Sequence, residues 1–368
     1  MNTLSTRRAA VRVLIVDDSA MIRKVLSMGL STDPMIEVVG TASGAEQASE
    51  MIRDLRPEVM TLDIEMPRMD GVTFLRQLMP VNPLPTVIIS SATQHGAAVT
   101  LQALEAGAVD VIAKPSLAVD TGLKDIMADV CRRVRAAALA RPSQMAGWVL
   151  PMGVKPPSRH PENRIIAIGA STGGVQALAR VLHTMPQDAP GIVIVQHMPQ
   201  GFTKAFADRV NAELQINVRE AQDGDRVQSG VALIAPGGSR HMVLAGTGPH
   251  WRVSLVKGDP VCFSRPAVDT LFHSVARHAG KQASAALLTG MGKDGAAGLL
   301  AIRHAGGNTL AQDEATSVVW GMPAAAVDLN AAMSVKPLDA IGPSLLAAAA
   351  NPVARGTYRF NSQEGTAS

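Results

Sequence analysis

Two groups of residues in this chain have the types and spacing to do chemistry. The first is Asp17-Asp18, Asp63 and Lys114, which close or directly follow the short apolar runs VRVLIV, VMTL and VDVIA. In an open parallel α/β sheet, ligands bind beyond the carboxyl ends of the strands. Three carboxylates and one ammonium gathered there suit a hard divalent cation and a phosphoryl group. Asp17, Asp18 and Asp63 are the candidate Mg²⁺ ligands, and Lys114 is the candidate counter-charge for phosphate. Ser90, ending a fourth run, is placed to follow new phosphoryl oxygens. A lone strand-end Asp is ordinarily a helix cap or a solvated charge. Four matching positions in one fold outweigh that bland reading.

The second group is Ser171, His197 and Asp294. Ser171 sits in IIAIGASTGGVQAL, a strand, Gly-rich turn and helix; His197 follows IVIVQ; Asp294 lies in TGMGKDGAAG. All three then gather along one sheet edge, where Ser171 attacks, His197 moves the proton and Asp294 fixes the imidazole tautomer. Backbone N–H groups near Thr172 and Met291 are the candidate oxyanion donors. A competing reading makes the turn an anion cradle and the domain a binding module. The turn lacks the Lys of GxxxxGK[ST], does not fit GxGxxG, and is not a GxSxG elbow either. The other histidines serve as an internal control. His183, His273, His278 and His304 fall on predicted helices, and His241 and His250 on predicted hairpin strands. None has metal-ligand spacing, so each reads as a surface or packed structural residue.

These positions require two successive α/β units. Strands are expected near 11–16, 36–41, 59–62, 86–90 and 109–112, alternating with helices such as 20–30 and 45–55, and a last helix over 125–135. Five prolines between 141 and 163 mark a semi-extended linker in which Trp148, Val149 and Leu150 stand out. A second domain opens at Arg164 with strands RIIAIGA, IVIVQ, VALIAP, AALLT and NTLAQ. Its helices are expected near 175–183, 202–212, 267–278 and 294–305, with a β-hairpin over 241–256. The expected division is 1–135 for the first domain, 136–163 for the linker, 164–350 for the second domain and 351–368 for a frayed tail.

Composition narrows the class. A chain of 368 residues suits two domains with their own cores. No apolar run approaches the roughly 18 to 20 residues of a membrane span, so no direct membrane insertion is expected. MNTLSTRRAA leads into a strand broken by Asp17 and Asp18, which does not read as a signal peptide. Cys131 and Cys262 offer neither a disulfide framework nor metal spacing, in keeping with a reducing cytoplasm. The formal net charge is +3, but the charges are dispersed and aromatics make up only 3%. With no basic stripe interleaved with stacking rings, nucleic acid is not an expected partner.

VDDSA, LDIEMPRMDG, the Ser90-Ser91 strand end and AKP resemble response-regulator receiver domains over residues 11–130. That resemblance implies a flavodoxin-like fold with a five-stranded parallel sheet, Asp63 as the phospho-acceptor, and Mg²⁺ for phosphorylation. Val111 replaces a switch residue that is often aromatic, which puts the usual Ser/Thr-aromatic relay in question. GASTGG, QHMP, IAPGG, RPAVDTLF, TGMGKDG and AQDEATSVVWGMPAAA resemble the chemotaxis protein-glutamate methylesterase family over most of 164–349. Ala267 replaces a Ser common there. The resemblance implies a doubly wound, mainly parallel α/β hydrolytic domain with the triad Ser171, His197 and Asp294, and Met291 beside the oxyanion. It implies hydrolysis of glutamate methyl esters on methyl-accepting chemoreceptors, companion deamidation of glutamines, and control by a chemotaxis histidine kinase. No cofactor is expected for ester hydrolysis.

Overall fold

The computed structural model describes residues 9–91, 94–114, 123–140 and 163–350. The Pro-rich stretch with Trp148, and the tail beyond Ala350, lie outside the described residues. The first unit runs β1 (Val11–Val16), α1 (Ala20–Leu30), β2 (Ile36–Ala42), α2 (Ala45–Leu55), β3 (Val59–Asp63) and α3 (Gly71–Leu78). It continues with β4 (Thr86–Ser90), α4 (Gln94–Glu105), β5 (Asp110–Ala113) and α5 (Leu123–Ala137). Its strands pair in parallel in the order β2-β1-β3-β4-β5. β4 and most of β1 and β3 are buried on both faces and read as near-continuous apolar runs rather than alternating ones. Helix starts are set locally: Ser19 accepts the Ile22 N–H at the start of α1, and Asp70 accepts the Thr73 N–H at the start of α3.

The second unit begins with β6 (Ile165–Ala170), α6 (Gly174–His183), β7 (Gly191–Gln196), α7 (Phe202–Glu213), β8 (Asn217–Glu220) and β9 (Val231–Ile234). A hairpin, β10 (Arg240–Ala245) and β11 (Arg252–Lys257), precedes α8 (Val268–His278), β12 (Ala283–Leu287) and α9 (Ala296–His304). The chain ends in β13 (Asn308–Gln312), α10 (Met322–Asp328), β14 (Ser334–Lys336) and α11 (Leu338–Ala350). Seven parallel strands lie in the order β14-β13-β12-β6-β7-β9-β8, and the hairpin forms its own two-stranded sheet. The chain leaves β6 on one side for β7 and later returns on the other side as β12. The order therefore reverses at β6, and the crevice above such a reversal is where doubly wound sheets bind ligands.

Four elements were not anticipated from sequence: β8, β14, α10 and α11. β8 is the polar edge run NVRE, β14 has three residues, and α11 carries Pro343 in its interior. His250 sits in the turn before β11 and not on a strand, which corrects its expected placement. Among the described residues, no helix is long and apolar enough to cross a membrane.

The two units share apolar packing. Ala97, Leu101 and Leu104 of α4 belong to one buried cluster with Ala177, Leu182 and Phe206 of the second unit. Val130, Val134 and Ala137 of α5 cluster with Val318 and Val319, against which Met291 packs. Each fully buried Leu, Val or Phe contributes about 1.5–3 kcal/mol by leaving water, so this contact favours the docked arrangement of the two units.

Candidate active site

Ser171 follows β6 at the reversal. Gly173 adopts φ 75° as the N-cap of α6, and a Cβ there would collide with Val318, so glycine is required on both counts. The Ser171 N–H donates to the Thr289 carbonyl at 3.0 Å. A Cβ on Gly290 would lie 2.7 Å from the Ser171 Cβ, which lets the two chain segments meet only because residue 290 is glycine. Gln196 braces the turn: its Nε2 donates to the Ser171 carbonyl at 2.9 Å and to the His197 carbonyl at 3.3 Å. Among the described residues, the Thr172 and Met291 N–H groups donate no hydrogen bond. Two unused donors flanking a serine, one at a helix N-terminus, form what an oxyanion site needs.

His197 follows β7, and its Nε2 lies 2.8 Å from Asp294 Oδ2. Asp294 sits before α9, and its carboxylate also accepts the Val268 and Asp269 N–H groups at 2.7 and 2.9 Å. These start α8, so a helix N-terminus fixes the carboxylate's orientation. The other ring nitrogen, Nδ1, is 3.4 Å from Ser264 Oγ. The Ser171 hydroxyl makes no hydrogen bond to His197 among the described residues. Such bonds commonly tighten only when substrate is present.

Ser171, Thr172, His197, Met291 and Asp294 line one cavity of about 270 Å³. Three of its other walls, Arg132, Arg133 and Ala136, come from α5 of the first unit. A second groove, about 430 Å³, runs from Lys114 past Arg133 to His197. Between them Cys262 and Phe263 form a two-residue turn with φ 50° and 65°, closed by paired hydrogen bonds between Val261 and Ser264. Side chains other than glycine rarely adopt this left-handed pair, and such strain concentrates at functional sites. The turn leaves Phe263 83% exposed, with the Arg132 guanidinium 5.2 Å above its ring and donating to the Cys262 carbonyl at 3.3 Å. Burial, then the charges of Asp294 and Asp269, push the Cys262 thiol up, so it remains protonated and does not compete as a nucleophile.

At the other sheet edge, Lys114 Nζ lies 2.6 Å from Asp63 Oδ2 and 3.4 Å from Asp17 Oδ2. Burial raises both carboxyls above their ordinary range, against the pull of Lys114. Burial also lowers Lys114, but its hydrogen bond to Asp63 and the two negative charges outweigh that and raise it. The directions agree once the charges are counted: two desolvated carboxylates face one ammonium. Asp17, Asp18 and Asp63 each bring an oxygen within 4.8 Å of the others. Asp17 Oδ2 is buried and accepts no hydrogen bond. A buried carboxylate oxygen that accepts no hydrogen bond and faces only the Lys114 ammonium at 3.4 Å among the described residues, in an all-oxygen cluster, fits a hard cation such as Mg²⁺. Ser90 is buried at the end of β4, and among the described residues its hydroxyl reaches only the Ser91 carbonyl, at 3.5 Å.

The structure thus brings Ser171, His197, Asp294, Thr172 and Met291 together, and separately Asp17, Asp18, Asp63 and Lys114. Sequence reasoning missed the residues that work across the two units. Asp110 reads as one polar letter inside an apolar strand, yet it accepts the Thr172 hydroxyl at 2.8 Å and Arg133 at 2.9 Å. Arg132, Arg133 and Ser264 have no local signal at all. Gln196 does carry one, since a buried polar residue directly before His197 must find a partner.

Residues 13–123 match the family model for the response regulator receiver domain, and residues 166–345 match that for CheB methylesterase. The chain is 57% identical over 347 residues to the protein-glutamate methylesterase/protein-glutamine glutaminase of group 2 operon of Cereibacter sphaeroides. That alignment covers 94% of this chain and 93% of the relative. It is 47% identical over 342 residues to a protein-glutamate methylesterase/protein-glutamine glutaminase of Syntrophotalea carbinolica, covering 91% of this chain and 97% of the relative. Among solved structures, the Thermotoga maritima CheB methylesterase catalytic domain is 38% identical with a TM-score of 0.49, covering 50% of this chain and 97% of that one.

Proposed function

We propose, for a chain that belongs to the protein-glutamate methylesterase/protein-glutamine glutaminase family, that Ser171 is its nucleophile and that phosphorylation of Asp63 controls access to it. The reaction is demethylation of glutamate methyl esters on chemoreceptors during chemotactic adaptation, with deamidation of glutamines as the companion activity. The observation that carries the reading is the shared cavity: Ser171, His197 and Asp294 on one side and receiver residues Arg132, Arg133 and Ala136 on the other.

Ser171 Oγ attacks the ester carbonyl carbon and its proton passes to His197 Nδ1. The tetrahedral oxyanion is held by the Thr172 and Met291 N–H groups. On collapse the C–O bond to the methoxy group breaks, Nδ1–H protonates the leaving oxygen, and methanol departs. Water then attacks the acyl-enzyme, gives its proton to Nδ1, and the glutamate carboxylate is released with Ser171 restored. From a glutamine the leaving group is ammonia. Throughout, Asp294 holds the Nε2–H tautomer and stabilises the imidazolium.

The division of labour is a receiver over 1–135, a linker over 136–163, the catalytic domain over 164–350 and a tail over 351–368. A chemotaxis histidine kinase in the cytoplasm supplies the phosphoryl group to Asp63, and methyl-accepting receptors are the substrate. Asp17, Asp18 and Asp63 would hold Mg²⁺, which neutralises charge on the transferring phosphoryl group. Lys114 and Ser90 then face the new oxygens. While Asp63 is unmodified, the receiver's α5 covers the cavity; modification loosens that packing. The test is methanol release from methylated receptor membranes, with and without acetyl phosphate and Mg²⁺, for wild type and Ser171→Ala. Release that requires Ser171 and rises with phosphodonor supports both parts. Full release by Ser171→Ala would overturn the catalytic assignment.

A further inference from the structure

Three hydrogen-bond donors lie within five residues of Ser171, and the receiver occupies all of them. Thr172 Oγ1 donates to Asp110 Oδ2 at 2.8 Å, and the Gly173 N–H donates to the Val109 carbonyl at 3.1 Å. Gln176 Nε2 donates to the Leu104 and Ala108 carbonyls at 2.8 and 3.3 Å. In these contacts the catalytic domain brings only donors, and the receiver only acceptors: one carboxylate and three peptide carbonyls. The fit is incomplete, because Gln176 Oε1 is buried without a partner in a residue only 8% exposed.

This row of donors is built for an anion next to a peptide. Gly173 and Gly174 open α6, whose N-terminus favours negative charge, and the Thr172 hydroxyl already holds a carboxylate there. The positive charge that accompanies Asp110 is Arg133, a receiver residue that leaves with it. When the receiver moves off, Thr172 Oγ1, the Gly173 N–H and Gln176 Nε2 lose every partner they have in the covered state. They remain beside the nucleophile.

We infer that this turn is a substrate-recognition subsite for an acidic side chain of the receptor segment flanking the ester, and that Val109-Asp110 of the receiver fills it as a substrate mimic. The inference rests on Ser171 being the nucleophile. It adds recognition to cover: undocking opens the cavity and frees the donors that the receptor requires. A receptor backbone also supplies an N–H for Gln176 Oε1, which the receiver leaves unsatisfied.

The test uses the full-length protein activated with acetyl phosphate and Mg²⁺. The substrates are methylated receptor membranes, either native or with the carboxylates within four residues of the ester changed to amides. KM and kcat come from methanol release, and Ser171 is followed separately by labelling with a small serine-directed phosphonate. Amide replacement in the receptor should raise the wild-type KM about three- to tenfold, the difference in worth between a hydrogen bond to a charged acceptor and one to a neutral acceptor. Thr172→Val should raise KM for the native receptor by a similar factor and lose the discrimination, and Thr172→Ser should restore both. Gln176→Met, which keeps the side-chain volume, should also raise KM. In both Thr172→Val and Gln176→Met, phosphonate labelling without phosphodonor should rise, because a tie to the receiver is gone. Equal wild-type KM for native and neutralised receptors would overturn the subsite. So would faster labelling of Thr172→Val with its discrimination intact, which would make the turn a docking contact for the receiver alone. If the phosphonate failed to label Ser171 in the activated wild type, the esterase reading itself would fall and the subsite with it.

Discussion

Asp294 holds His197 by Nε2, at 2.8 Å, so the ring nitrogen left for the proposed nucleophile Ser171 is Nδ1. This reverses the arrangement of the chymotrypsin-type triad, in which the acid holds Nδ1 and Nε2 serves the serine. The proposed roles are compatible with the reversal because only the relation between base, acid and nucleophile matters. The base must carry its proton on the nitrogen facing Asp294.

Asp294→Asn tests that tautomer. An amide NH₂ turned towards Nε2 favours the proton on Nδ1, where it blocks acceptance from Ser171. Phosphonate labelling and methanol release should fall about 10³- to 10⁴-fold. The thermal transition should stay cooperative, because the amide oxygen can still accept one N–H from the start of α8. Retention of near-wild-type labelling would show that Asp294 does not set the tautomer.

Asp63→Asn should leave basal labelling of Ser171 in place and abolish its rise with acetyl phosphate. The Lys114 ammonium keeps Asp17 at 3.4 Å as a partner, so the receiver should remain folded. Stimulation that persisted in Asp63→Asn would move the phospho-acceptor elsewhere.

Glu105 of α4 pairs with Arg209 of α7 across the two domains. Both are partly exposed, so the pair contributes at most about 1 kcal/mol. Charge reversal does more than deletion, since it places like charges in contact. Glu105→Lys should raise unstimulated labelling about two- to fivefold, and Arg209→Glu should act in the same direction. Combining the two should return labelling towards wild type. Absence of that rescue would detach this contact from the cover over Ser171.

Much of both candidate sites was legible because most of the candidate side chains close or directly follow an apolar run. The ends of β1, β3, β6 and β7 could be placed from the sequence, and parallel topology then brought Asp17 to Asp63 and Ser171 to His197. What stayed hidden was everything set by the packing of one domain on the other. Asp110 opens β5, and its side chain meets Thr172 only when the receiver is docked, which no periodicity within residues 109–113 records. β14 and α11 were missed for a different reason. Three residues carry too little pattern, and Pro343 in a helix interior contradicts local propensity until packing against α6 and β12 overrides it.

Asp17 offers a test by acidity. Burial first, against the Ser19 N–H and Lys114, holds its carboxyl above the ordinary range. The folded protein therefore binds that proton more tightly than the unfolded chain does. Ionised Asp17 is destabilising above its folded pKa, and the penalty fades as pH falls through that value towards the unfolded one. Without Mg²⁺, Asp17→Asn should melt about 2–4 °C higher than wild type at pH 7, and the gap should narrow at pH 5. Mg²⁺ should raise the wild-type melting temperature and not that of the variant. A lower melting temperature for Asp17→Asn at pH 7 would contradict the burial argument.

Because α5 supplies part of the wall facing Ser171, the two domains are thermodynamically linked in both directions. If phosphorylation at Asp63 favours the state that admits a receptor, an engaged receptor must favour phosphorylated Asp63 by the same factor. A receptor array loaded with methyl esters would then act as a store for the phosphoryl signal, holding it longer where there is more work to do. Conversely, a small molecule shaped to the composite cavity, touching Arg132 or Arg133 as well as Ser171, would oppose phosphorylation of Asp63 without contacting it.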